Sequence, residues 1–237
     1  MLDCMEQVKL KRRKKKKTPV NPPFMYWAYS YLLRAGVCEP RKDFNQALEY
    51  TYMYADLTWV KETDEQTLLW KRRFTEWAQA NTYVNKLLAG DIGVLPNYLA
   101  YVTSKKNEVI PALVNIIEVA NQYDFNVDDV LKRFELEIQS LTEQQKSVGV
   151  YTQQFMSESF ACFLKGLADY YLRKGMYQEG FKNLINSLKS SSTIKSSSKA
   201  SIIKCVELFE RFKKYASLGT IDTYQNLINK VYEIEKS

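Results

Sequence analysis

Histidine is absent from all 237 residues. That removes the commonest general base, nucleophile activator and metal ligand at once. Glycine and proline are scarce, at 8 and 6 residues, too few to punctuate the many turns of a β-sandwich or barrel. The four cysteines, Cys4, Cys38, Cys162 and Cys205, form no CxxC pair. Their wide spacing suits neither a zinc site nor a disulfide framework and fits a reducing compartment. Cys162 and Cys205 stand among apolar residues and read as small core side chains. Neither GxGxxG nor GxxxxGK[ST] occurs, so no glycine-rich loop is available to cradle phosphates.

Long apolar runs are missing as well. The most apolar stretches, residues 24–33 and 109–120, are too short for a membrane span and are interrupted by polar side chains. At the N-terminus, Asp3, Glu6 and a Lys/Arg run stand where the apolar core of a secretory leader belongs. These absences predict a cytoplasmic protein without catalytic, metal or cofactor chemistry and without membrane contact.

What the chain does contain is apolar and aromatic bulk, 46% and 14% of residues, enough to support a folded core. The net charge of +7 is concentrated in one place. Lys9, Lys11, Arg12, Arg13, Lys14, Lys15, Lys16 and Lys17 carry eight positive charges. The rest of the chain holds 26 basic against 27 acidic residues and is close to neutral. With Pro19, Pro22 and Pro23 behind it, this head (residues 1–23) reads as disordered. Two roles are open for it: a solvated tail, or an arm of Lys11, Arg12, Arg13, Lys14, Lys15, Lys16 and Lys17 for nucleic acid.

From Phe24 the pattern is helical. Residues 24–35 form a dense aromatic segment ended by Gly36, and Asp43 opens a second helix through Phe44, Ala47, Thr51 and Tyr54. Thr63 and Gln66 have capping-box spacing. Behind them Trp70, Phe74, Trp77, Asn81, Val84 and Leu88 recur at three and four residues, one face of a long helix. Asn81 stands in that apolar stripe and needs a partner, either a neighbouring helix or a bound peptide backbone. Asn85, one turn on, shares the surface. Gly90 and Gly93 close the helix, and Pro96 opens a short one. Two further helices follow, from Asn107 and from Asn126, the second with Val127, Leu131, Phe134, Ile138 and Leu141 as its apolar stripe. Only Tyr123, Asp124 and Phe125 separate them, which predicts an antiparallel hairpin.

Residues 161–194 carry the best repeat. Leu164, Leu167, Ala168 and Tyr171 fit the first helix of a tetratricopeptide unit, Gly175 and Tyr177 its turn, and Gly180, Leu184 and Ser187 its second helix. Small Ala168, Gly180 and Ser187 let backbones approach while large neighbours fill the gaps. A final pair follows, with Ile202, Cys205, Val206, Phe209 and Phe212 on one helix and Ile221, Tyr224, Leu227, Ile228 and Val231 on the next. The predicted fold is therefore all-α: residues 24–237 as a right-handed, tetratricopeptide-like α-solenoid of stacked antiparallel helix pairs. The repeat frame puts Lys165, Asp169, Leu172 and Arg173 on the inner face of its first helix.

The stretches LLRAGVCEPRKDFNQALEY (32–50), WVKETDEQTL (59–68), ALVNIIEVANQYDFNVDDVLKRF (112–134), LADYYLRKGMYQEGF (167–181) and KCVELFERFKKYAS (204–217) carry a family likeness. They resemble the C-terminal repeat region of Bacillus-type regulators that join a helix-turn-helix domain to tetratricopeptide repeats, related in design to the Rap, PlcR and NprR group. The resemblance implies a sensor that binds a short peptide on its concave face, held partly by asparagine side chains, with a link to transcription. Residues 1–23 have no counterpart of the helix-turn-helix domain, so the chain reads as a repeat region without its DNA reader. A head with charge but no base-reading geometry is not expected to read DNA alone. The expected partner is a short peptide or a protein. The alternatives are a nucleic-acid-associated regulator using the basic arm, and a homodimerising scaffold.

Overall fold

The computed structural model describes residues 21–105, 108–144, 150–192 and 198–236, and every regular element among them is helical. The basic run from Lys9 to Lys17 lies outside the described residues, as do residues 193 and 194 at the end of the best repeat. The chain divides into two compact units, one ending at Asn85 and the other beginning at Lys86.

The first unit contains α1 (Pro23–Cys38), α2 (Phe44–Ala55) and most of α3 (Glu65–Leu88). Helix α1 starts with a proline in its first turn, where the missing N–H costs nothing. It runs past Gly36 to Cys38, two residues further than the glycine suggests. Asp43 caps α2, its carboxylate accepting the backbone N–H of Gln46 at 3.3 Å. The cap of α3 is Asp64 and not Thr63. The Asp64 carboxylate accepts both the N–H (3.0 Å) and the hydroxyl (2.6 Å) of Thr67. Two short bonds to an anion at a helix N-terminus outweigh a capping box begun one residue earlier. The core joins Phe24, Met25 and Ala28 to Tyr54, Phe74 and Ala78, with Trp27, Tyr31, Trp70 and Trp77 packed around it. Phe74 and Trp77 meet edge to face, with centroids 5.4 Å apart.

In the second unit a single turn of 3-10 helix leads to α4 (Leu95–Thr103) and then α5 (Val109–Tyr123). Asp124 ends α5 in the left-handed region at φ 52°, a conformation Asp tolerates. The next segment, read as one helix from its apolar stripe, is two: α6 (Asp128–Arg133) and α7 (Glu135–Gln144), with Phe134 outside helical geometry between them. Among the described residues the extensive partner of α5 is α8 (Val150–Arg173), rather than this broken segment. Helix α8 pairs in turn with α9 (Tyr177–Ser192), and α9 contacts both α10 (Ser198–Phe212) and α11 (Leu218–Lys236).

The α8–α9 pair realises the small–large pattern of residues 161–188. Gly175 turns the chain at φ 77°, where a side chain is strained. Leu172 reaches across to Gly180 so closely that a Cβ there would lie 2.6 Å from its Cγ and 3.1 Å from its backbone nitrogen. Ala168 and Ser187 are both fully buried, and the Ser187 hydroxyl donates to the carbonyl of Ala161 at 2.8 Å. Phe209 on α10 then stacks on Tyr224 of α11 with centroids 3.6 Å apart and meets Phe181 of α9 edge-on.

Gly180→Ala gains helix propensity yet forces α8 and α9 apart. The net expected change is a loss of about 1–3 kcal/mol, because overpacking a close approach outweighs the propensity gain. Urea denaturation of the full chain measures it, and an unchanged or higher midpoint would contradict the close-approach account.

Candidate functional site

Helices α5, α8 and α10 lie side by side in the second unit and enclose a groove of about 530 Å³. Val114, Ile117, Glu118 and Asn121 come from α5. Cys162, Lys165, Gly166 and Asp169 come from α8. Lys204, Glu207, Leu208 and Arg211 come from α10. Each helix thus contributes positions i, i+3, i+4 and i+7, one face over two turns. The volume is in the range of pockets that take small ligands and short chain segments.

Gly166 makes the first wall possible. A Cβ there would sit 2.5 Å from Cγ2 of Ile117, so α5 and α8 approach only because this position has no side chain. The contact is reinforced where Asn121 Nδ2 donates to the Gly166 carbonyl at 2.8 Å. Two turns further along α8, Arg173 Nη1 donates to the Asn121 carbonyl at 3.2 Å while its Nε holds Asp169 at 2.9 Å. Contacts advance in the same direction along both helices, so α5 and α8 run parallel. With Nδ2 engaged, Asn121 Oδ1 is left buried without a hydrogen-bond partner, an acceptor still to be satisfied.

The C-terminal half of α8 is fixed as firmly. The buried Tyr170 hydroxyl accepts the Val127 N–H at 3.0 Å and donates to Asp128 at 2.8 Å. Lys174 Nζ bonds both Tyr170 (2.7 Å) and Asp128 (2.9 Å). The Lys174 bond, aided by that from Tyr170, holds the Asp128 carboxyl below the usual carboxylate range. Asp128 does stand in a helix first turn, as its sequence position indicates, and it also ties that turn to α8.

The groove gathers some of the sequence-predicted residues and leaves others elsewhere. Lys165 and Asp169 line it, and Arg173 reaches its edge through Asp169. Leu172 does not face it: the side chain is 1% exposed, inside the α8–α9 pair. The missing side chain at Gly180 makes the room that Leu172 fills there. Asn81 and Asn85 belong to the first unit. Asn81 Nδ2 donates to the Tyr54 hydroxyl at 2.8 Å, so a neighbouring helix is its partner. Burial pushes the Tyr54 phenol up despite that bond. Asn85 is fully buried and donates to the Asn81 carbonyl of its own helix, while its Oδ1 has no partner.

Cys162 is a correction to the core reading. It is exposed in the groove, whereas Cys205 is fully buried beneath the Ser187 hydroxyl, and burial pushes the Cys205 thiol up. Sequence reasoning missed the α5 and α10 contributions. Their signal was the polar Glu118 and Asn121 on α5, and Lys204, Glu207 and Arg211 on α10, recurring at three- and four-residue spacing. Among the described residues no three His, Cys, Asp or Glu side chains converge to hold a metal, and no helix is long and apolar enough to cross a membrane.

No family model, curated protein or solved structure matches the chain. The groove therefore has to be read from its own chemistry.

Gly166→Ala must displace the stiff, β-branched Ile117, and a loss of about 1–3 kcal/mol is expected. In the background of Ile117→Ala the same change costs much less, a coupling that a double-mutant cycle by urea denaturation reads directly. Asp128 has a second signature. Its pKa is depressed in the folded chain, so its contribution to stability is present above the unfolded value, about 4, and is lost as pH falls through the folded one. Asp128→Asn should therefore flatten the fall of thermal midpoint between neutral pH and about pH 3; an acid limb as steep as in the parent would contradict this.

Proposed function

We propose that the chain is a non-catalytic binding module, a tetratricopeptide-like array that takes a short peptide, free or as a segment of a protein, in the groove of α5, α8 and α10. The observation that carries this reading is the repetition of one face, i, i+3, i+4 and i+7, on three helices, the middle one of which forms a close pair with the helix that follows it. Stacked repeats produce that arrangement, because the first helix of every pair presents the same face to the same side. Around an apolar floor of Val114, Ile117 and Leu208, the groove offers charged and amide groups at its edges.

The fit to a peptide follows from hydrogen bonding. An extended chain carries unpaired N–H and C=O groups, and the exposed side chains of Glu207, Lys204 and Arg211 in the groove supply acceptors and donors for them. A sensor role in transcription is what the resemblance to the helix-turn-helix and tetratricopeptide regulators implies. In this reading the cytoplasm is the place of action.

A displayed library of random hexapeptides tests the module. Enriched peptides should slow alkylation of Cys162 by about tenfold at saturation, read by mass mapping that separates Cys162 from Cys4 and from the buried Cys38 and Cys205. Absence of any enriched peptide, or enrichment that leaves the Cys162 rate unchanged, would rule the groove out as the binding site.

A further inference from the structure

The groove is electrically divided, and the division specifies the ligand. On α8 and α10, Lys165, Lys204 and Arg211 face it with no ion-pair partner among the described residues, against the single free carboxylate of Glu207. Asp169 does not offset them, since Arg173 already neutralises it at 2.9 Å. On α5 the one charged group is Glu118, also unpaired. Glu207 and Arg211 are four residues apart in the order that favours a helical ion pair, yet they do not close one.

Three helices at 8–10 Å spacing span about 20 Å, which an extended chain at about 3.3 Å per residue crosses in about six residues. A segment laid across them meets Glu118 at one end and Lys204 with Arg211 at the other. We infer that the groove selects a charge-divided peptide segment, with acidic side chains over α8 and α10 and a basic side chain over α5. Like charges at either end would be repelled, so the same groups that attract this ligand reject its mirror arrangement. This rests on the peptide reading above and adds the chemical class and the orientation of the ligand.

Blocked hexapeptides, acetylated and amidated so that only side chains differ, provide the test. One carries lysine first and aspartate at its last two positions, a second has the opposite order, and a control has serine at all three places, with leucine and serine between. Calorimetry on the full chain should find one charged order about tenfold tighter than the control, with that advantage lost on raising salt from about 50 to 500 mM. Lys204→Glu combined with Arg211→Glu should abolish the preference, and Glu118→Gln should reduce it about threefold. Both changes are at exposed positions, so folding is retained and circular dichroism confirms it. If the control binds and protects Cys162 while neither charged order is tighter, the charge assignment fails and the peptide reading stands. A preference that survives the double reversal overturns the assignment in the same way. If none of the three protects Cys162 and the random library also yields nothing, both fall together.

Discussion

The second unit depends on the approach of α8 to its neighbours on two sides at once. On one side the missing side chain of Gly166 admits Ile117, and on the other the missing side chain of Gly180 admits Leu172. Helices usually pack 8–10 Å apart with interdigitating side chains. Here a residue without a Cβ lets a large one from the facing helix rest against backbone, and each contact sets the rotation of α8 about its axis. Fixing that rotation decides which α8 residues face the groove. Cys162, Lys165, Gly166 and Asp169 are turned into it, and Leu172 is turned away.

Polar contacts then hold what packing has placed. Tyr170 is buried, and its hydroxyl serves the Val127 N–H, the Asp128 carboxylate and the Lys174 ammonium together. Arg173 joins Asp169 of its own helix to the last turn of α5. Exposed ion pairs alone contribute little. Their value here is geometric, since they consume Asp169, Arg173 and Lys174 in structure. The groove's remaining cations and carboxylates are left open to solvent.

Much of this was legible along the chain. Period-3.6 stripes located the helices, and the sparse glycines marked Gly175 and Gly180 as a turn and a close contact, because each is explained by local geometry. Where the reading slipped, a local rule met a competitor. Thr63 has capping-box spacing, but the Asp64 carboxylate makes stronger bonds to Thr67. The stripe through Phe134 continues in sequence although the helix breaks there, since hydrophobic spacing does not report backbone dihedrals. Cys162 has apolar neighbours in sequence, yet on a helix the residues beside it point elsewhere.

The sequence by itself determined an all-helical chain, the place of most helices, the best-formed helix pair and the confinement of excess positive charge to the head. These follow from period, capping and composition, which act over a few residues. Tertiary structure alone decided that α5, α8 and α10 share one groove, that Asn81 is spent on Tyr54, and that Asn121 keeps an oxygen unpaired. Each of those depends on which helices become neighbours and how each is rotated. That is settled by packing volume between residues tens of positions apart, and no local pattern encodes it.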